Sequence, residues 1–131
     1  MREKIVLDSF ALLAYLGEES GFERVRRLLA SEDVQLLMNE INVGEAYYII
    51  ARERGLTQAD ELVDVILASL PIILVTNSLQ EVIEASRIKA VYPLAYADCF
   101  AVATASREKA RLITGDPEFK KVQGTIEIDW L

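Results

Sequence analysis

The sequence predicts an α/β domain built as a three-layer sandwich, with a mostly parallel central sheet flanked by helices. Short apolar runs at Lys4–Leu7, Val34–Met38, Ile72–Val75 and Arg111–Thr114 are continuous rather than alternating, the pattern of strands covered on both faces. Helix-like segments separate these runs, as crossover connections between parallel strands require. With 131 residues, 52% of them apolar, and no repeat or low-complexity linker, the chain is expected to form one domain over residues 1–131.

Each element has a local reason. Lys4–Leu7 reads as a short buried strand, followed by a helix over Ser9–Leu16 and a turn from Gly17 to Gly21. Ser20-Gly-Phe-Glu23 has capping-box spacing and predicts a helix to about Ala30. After the strand at Val34–Met38, a helix is expected from Asn39 to about Arg54, stopped by Gly55. Thr57-Gln-Ala-Asp60 predicts a second capping box opening a helix to about Ser69, ended by Pro71 before the strand at Ile72–Val75. Ser78-Leu-Gln-Glu81 predicts a third box, with its helix running to about Ala90. Pro93 precedes a helix over roughly Leu94–Glu108. A helical turn at Pro117–Lys120 and a final strand at Thr125–Ile128 complete the pattern. Capping accounts for Glu23, Asp60 and Glu81, so these acids are set aside as functional candidates.

Composition excludes several chemistries. The chain has no histidine, which removes imidazole-based RNA cleavage, Ser-His-Asp and Cys-His catalysis and the usual zinc sites. Cys99 is the only cysteine, so no internal disulfide forms. A reducing, cytoplasmic compartment is expected, with Cys99 as a buried, inert thiol. No run approaches the roughly 18 apolar residues of a membrane span, and the N-terminus lacks a signal-peptide layout. The net charge of −7 argues on its face against nucleic acid binding. Bases do cluster, at Arg24/Arg26/Arg27, Arg52/Arg54, Arg87/Lys89, Arg107/Lys109/Arg111 and Lys120/Lys121, although solvated helix ends are the better explanation of each cluster.

Four carboxylates resist a structural explanation. Asp8 ends the run Ile5-Val6-Leu7, Glu45 interrupts Ile41–Ile50, Asp98 opens the nearly uncharged stretch to Ser106, and Asp116 follows Leu112-Ile113-Thr114-Gly115. Asp8 and Asp116 fall at the carboxyl ends of strands, the edge where open parallel sheets bind ligands. As structural alternatives, Asp8 is an N-cap, Asp116 a turn residue, Glu45 a partner for Arg52, and Asp98 a helix cap. Glu45 is expected among the apolar neighbours Ile41, Tyr48 and Ile49, one helical turn away. Close carboxylates repel one another, and a hard cation such as Mg²⁺ or Mn²⁺ relieves that repulsion. The quartet therefore points to a metal-dependent reaction on phosphate.

Four stretches carry a family resemblance: Val6-Leu-Asp8-Ser9, Asn42-Val-Gly-Glu45-Ala-Tyr-Tyr, Tyr96-Ala-Asp98-Cys-Phe100 and Leu112-Ile-Thr114-Gly-Asp116-Pro-Glu-Phe119. In order and separation they resemble the PIN domain family, especially VapC-type toxins of prokaryotic toxin–antitoxin pairs. The resemblance implies a PIN-like fold with Asp8, Glu45, Asp98 and Asp116 as its acidic quartet, acting as catalytic and metal-binding residues. Thr114 would be the hydroxyl beside the last acid, supporting a carboxylate or the attacking water. Also implied are Mg²⁺ or Mn²⁺ as cofactor, hydrolysis of single-stranded RNA to 5′-phosphate and 3′-hydroxyl ends, a homodimer, and a small antitoxin partner whose tail covers the site. Ala95 departs from the family, where serine is common, and Glu118 is placed to supplement or replace Asp116.

In the resulting mechanism Asp8, Asp98 and Asp116 hold the metal while Glu45 orients or deprotonates the attacking water. Arg and Lys side chains would hold flanking phosphates, and Tyr48, Tyr92 or Tyr96 would be available to stack on bases, although core or interface positions are the better explanation of those tyrosines. A non-catalytic PIN-like scaffold and a housekeeping RNA-processing nuclease are the alternatives. A haloacid dehalogenase-like phosphatase is disfavoured because Phe10 stands where its second aspartate belongs.

Overall fold

The structure is a computed structural model that describes residues 2–131. Its five strands are β1 (Glu3–Leu7), β2 (Val34–Asn39), β3 (Ile72–Val75), β4 (Arg111–Thr114) and β5 (Ile128–Trp130). All neighbouring pairs are parallel, in the order β3-β2-β1-β4-β5. The helices are α1 (Ser9–Leu16), α2 (Phe22–Ala30), α3 (Glu40–Arg54), α4 (Leu56–Glu61), α5 (Leu67–Ser69), α6 (Leu79–Val91) and α7 (Tyr96–Glu108). A π-helical turn at Leu62–Ile66 joins α4 to α5, and a 3₁₀ segment at Pro117–Val122 follows β4.

Strand alternation sorts the core into layers. Val6, Leu37 and Leu112 point to one face and pack with Phe100, Val102 and Phe119, under α7. Ile5, Leu7, Leu36 and Ile113 point to the other and pack with Ala11 and Val25, from α1 and α2. A third cluster joins Met38 to Leu12, Ala46 and Leu62, seating α3 and the helical segment after it beside the sheet. The expected fold class is the observed one.

Several local expectations change. Ser20 does not cap α2; Gly21, at φ +91°, occupies the N-cap with no side-chain bond. Thr57 does not cap α4 either, since Gly55 takes that place, and Asp60 instead accepts the Tyr47 hydroxyl at 2.6 Å. In both cases a glycine with positive φ occupies the N-cap in place of the serine or threonine. The Ser78 box forms in full, with both reciprocal bonds to Glu81. Strand β5 lies at Ile128–Trp130 rather than Thr125–Ile128, because the 3₁₀ segment and its turn consume more chain than expected. Strand β3 is an edge and leaves Ile73 and Leu74 exposed, so helices do not cover both its faces.

Two substitutions test this account of the helix ends. Ser78→Ala removes a formed cap and should cost about 1 kcal/mol, while Ala95→Ser supplies one where α7 has none and should gain a similar amount. Thermal melting should show opposite shifts of roughly 4 °C.

Candidate active site

The sheet order makes the site. The chain runs outward from β1 to β2 and β3, then returns to the other side of β1 with β4. The topological switch point therefore lies between β1 and β4, at their carboxyl ends. Register pairs Leu7 with Ile113, so the next residues, Asp8 and Thr114, lie side by side.

Asp8 is 2% exposed and caps α1, its Oδ1 accepting from the Ala11 N–H at 2.8 Å. Thr114 Oγ1 donates to Asp8 Oδ2 at 2.5 Å and accepts from the Asp116 N–H at 3.0 Å. Asp116 in turn caps the 3₁₀ segment, accepting from the Glu118 N–H at 3.0 Å. The N-cap reading of Asp8 is thus correct but incomplete, because one carboxylate oxygen serves the helix and the other the switch point. Asp98 is 6% exposed in the first turn of α7. Ser9 donates to Glu45, holding α3's carboxylate toward α1.

Glu45, Asp98, Asp116 and Glu118 line an open cleft of 330 Å³, together with Ser9 and the apolar residues Phe10, Leu13, Ile49 and Ala95. No described Lys or Arg lines it. None of the ion pairs among described residues includes Asp8, Glu45, Asp98 or Asp116, and Arg52 does not pair with Glu45. Glu118, by contrast, is exposed and paired with Lys121. Glu45 is only half-buried, and its helical neighbours Ile41 and Tyr48 are exposed, so the expected apolar surroundings do not enclose it.

Electrostatics mark the buried pair. Loss of hydration pushes the Asp8 carboxyl up to about 7 from an ordinary 3.8, against the lowering bonds from Thr114 and Ala11, with Asp98 and Asp116 adding repulsion. Asp98 is also pushed up to about 7, by burial and then by the charges of Glu45, Asp116 and Glu118. Burial raises the Cys99 thiol too, as befits an inert core residue.

Among the described residues no three acidic side chains gather tightly enough to enclose a metal ion by themselves. Asp8 accepts from Thr114, and Glu45 from Ser9. The donor chemistry nevertheless fits a hard divalent cation, since it is rich in carboxylate oxygen and none of Asp8, Glu45, Asp98 and Asp116 has an ion-pair partner among the described residues.

A family model described as PIN domain matches residues 5–124. The chain belongs to the PIN domain family. Solved structures agree on the fold. VapBC2 from Rickettsia felis bound to a promoter DNA fragment superposes with a TM-score of 0.74 at 16% identity, covering 98% of each chain. DNA-bound VapBC from Salmonella typhimurium gives 0.73 at 16% identity, again over 98% of each. VapC20 from Mycobacterium tuberculosis, a sarcin-ricin loop cleaving toxin, gives 0.71 at 16% identity over 88% of this chain and 92% of its own. No curated protein matches the sequence.

Other side chains at the site were not candidates from the sequence, although Ser9 and Asn42 stand in the stretches that carry the resemblance. Ser9 steadies Glu45, and Phe10 lines the cleft. Asn42 is fully buried, and its Nδ2 donates to the Ala97 carbonyl at 3.0 Å, tying the Glu45 helix to the Asp98 helix. The signal for Asn42 was its place one turn before Glu45 on a helix with an apolar flank. Tyr48, Tyr92 and Tyr96 are not among the cleft-lining residues.

The raised carboxyls predict a pH-dependent fold. Between pH 4 and 7 the folded protein binds protons at Asp8 and Asp98 that the unfolded chain has released, so stability must fall as pH rises. The contribution is fully present below pH 4 and lost through pH 7, at up to about 1.4 kcal/mol per carboxyl per pH unit. Thermal melting in EDTA should drop from pH 5 to pH 8, and the drop should shrink markedly in the Asp8→Asn/Asp98→Asn double variant.

Proposed function

We propose that this PIN domain is a single-domain, metal-dependent endoribonuclease that hydrolyses phosphodiester bonds of single-stranded RNA. We further read it as the toxin of a type II toxin–antitoxin system, working in the cytoplasm as a homodimer restrained by a small antitoxin. The observation that carries the enzymatic reading is the pair of buried carboxylates, Asp8 and Asp98, beside Asp116 and Glu45 with no cation to balance them. A scaffold has no use for such repulsion. The toxin reading is supported by the fold shared with toxin–antitoxin complexes, including one from Klebsiella pneumoniae at a TM-score of 0.66 and 16% identity, and by the RNA-cleaving VapC20. No helix is long and apolar enough to cross a membrane.

Asp8, Asp98 and Asp116 would hold Mg²⁺ or Mn²⁺, with Glu45 completing the acidic set. When bound, the cation supplies Lewis acidity toward phosphate oxygen and lowers the pKa of water. The protein's own groups do the positioning. Thr114 fixes the orientation of Asp8 by donating to one oxygen, while the Ala11 N–H holds the other. Ser9 fixes Glu45, leaving the rest of that carboxylate to orient or take a proton from the attacking water. With no histidine, no imidazole serves as acid for the departing 3′ oxygen.

Purified protein with Mn²⁺ should cut a single-stranded oligoribonucleotide to 5′-phosphate products. Asp98→Asn should lose at least about 100-fold in kcat/KM, and full activity in that variant would defeat the reading. Thr114→Val removes the support of Asp8 and the acceptor of the Asp116 N–H while leaving every carboxylate in place, and should weaken the apparent Mn²⁺ affinity by about 10- to 100-fold. Titrating activity against Mn²⁺ measures this.

A further inference from the structure

The cleft is half acid and half apolar, and its apolar half has no task in the chemistry above. Phe10 projects from the first turn of α1, two residues past Asp8. It is 42% exposed, and it is the one aromatic side chain among the described residues lining the cleft. The ring is not loose. A Cβ placed on Gly115 would come within 2.3 Å of Phe10 Cε1, so the ring is seated against the glycine between Thr114 and Asp116.

Any polyanion entering this cleft meets Glu45, Asp98, Asp116 and Glu118 and no Lys or Arg. Apart from a bound cation at the scissile phosphate and Lys121, which is already paired with Glu118, the cleft offers a phosphate no positive contact, so an uncharged contact would add to the grip beside the scissile bond. Aromatic stacking is such a contact, and it accepts any base because each has a π face.

We propose that Phe10 is a substrate-binding residue that stacks on an unpaired nucleobase next to the bond being cut. The inference rests on the reading of this cleft as the RNA-cleaving site, and it deepens that reading. It assigns the preference for single strands to a physical cause, since a base in a duplex is already stacked and paired. Leu13 and Ile49, on the adjoining helices, extend the apolar surface on which the base would lie.

The test uses the full chain with Mg²⁺ and a hydrolysis-resistant, single-stranded oligoribonucleotide carrying one 2-aminopurine, whose fluorescence falls when it stacks. Wild-type protein and Phe10→Tyr should both quench it. Phe10→Leu, which keeps the apolar volume but lacks the ring, should lose the quench. Its Kd for the oligonucleotide, and its KM with a cleavable one, should rise by about 5- to 100-fold. Its kcat should stay within about threefold, and the salt dependence of binding should keep its slope, because no ionic contact is removed. Melting temperature reports on folding, and Phe10→Tyr rescue separates loss of the ring from general damage.

Phe10→Leu protein that still quenches and binds like wild type overturns the proposal while leaving the nuclease reading intact. Ring-dependent quenching without any hydrolysis supports Phe10 and sinks the nuclease reading instead. Wild-type protein that leaves the probe unquenched at saturation also overturns the proposal, and would return the exposed ring to a protein-docking role.

Discussion

Two carboxylates buried without a cation at the junction of β1 and β4 are the constraint around which the rest of the molecule is arranged. Burying an ionised acid is expensive unless something answers the charge. Here Thr114 and the Ala11 N–H answer part of the charge on Asp8, and nothing positive answers Asp98. The sheet order brings this about. A strand returning beside β1 after two crossovers in the other direction opens a crevice between α1 and the loop after β4, and the acids sit at that opening.

The site is rigid where it touches the fold and open where it faces solvent. On the buried side a continuous relay runs from the Asp116 N–H through the Thr114 hydroxyl to Asp8, and from Asp8 to the start of α1. A second tie, Asn42 to the Ala97 carbonyl, sets α3 against α7 and so fixes the bases of Glu45 and Asp98 relative to one another. Ser9 completes the frame by linking α1 to α3. A further polar knot of Asn39, Asn77 and Thr104 secures the same sheet edge beyond β2. Such ties hold side chains against mutual repulsion, which is what the cation site proposed above would need.

Much of this was legible in the amino-acid order because apolar runs and acids obey strong rules. The strands β1 to β4 and the helices between them follow from continuous hydrophobicity broken at regular intervals, and the acids stood out as charges ending or interrupting those runs. What escaped depended on geometry at single residues. Ser20 and Thr57 have capping spacing, yet Gly21 and Gly55, with positive φ, take the N-cap positions instead. Strand β5 is short because a 3₁₀ segment extends to Val122. The exposure of Ile41, Tyr48, Ile73 and Leu74 is a property of layer edges, which periodicity within one element cannot show. Phe10 entered the sequence reading only as the residue that disfavours a haloacid dehalogenase-like phosphatase, and only its neighbours reveal that it borders the acids.

The turn Thr114-Gly115-Asp116 explains why acidic and apolar halves of the cleft stay in register. Its first residue orients Asp8 and its last supplies a cleft-lining acid. The glycine between them leaves room for Phe10, which comes from the helix that Asp8 caps. The ring and the carboxylates are therefore placed by the same two backbone segments, one after β1 and one after β4. Displacing either segment would move both halves together, so the geometry between ring and acids is as secure as the parallel pairing of those two strands. A side chain at position 115 would meet the ring itself, so both halves of the cleft depend on this position having no Cβ.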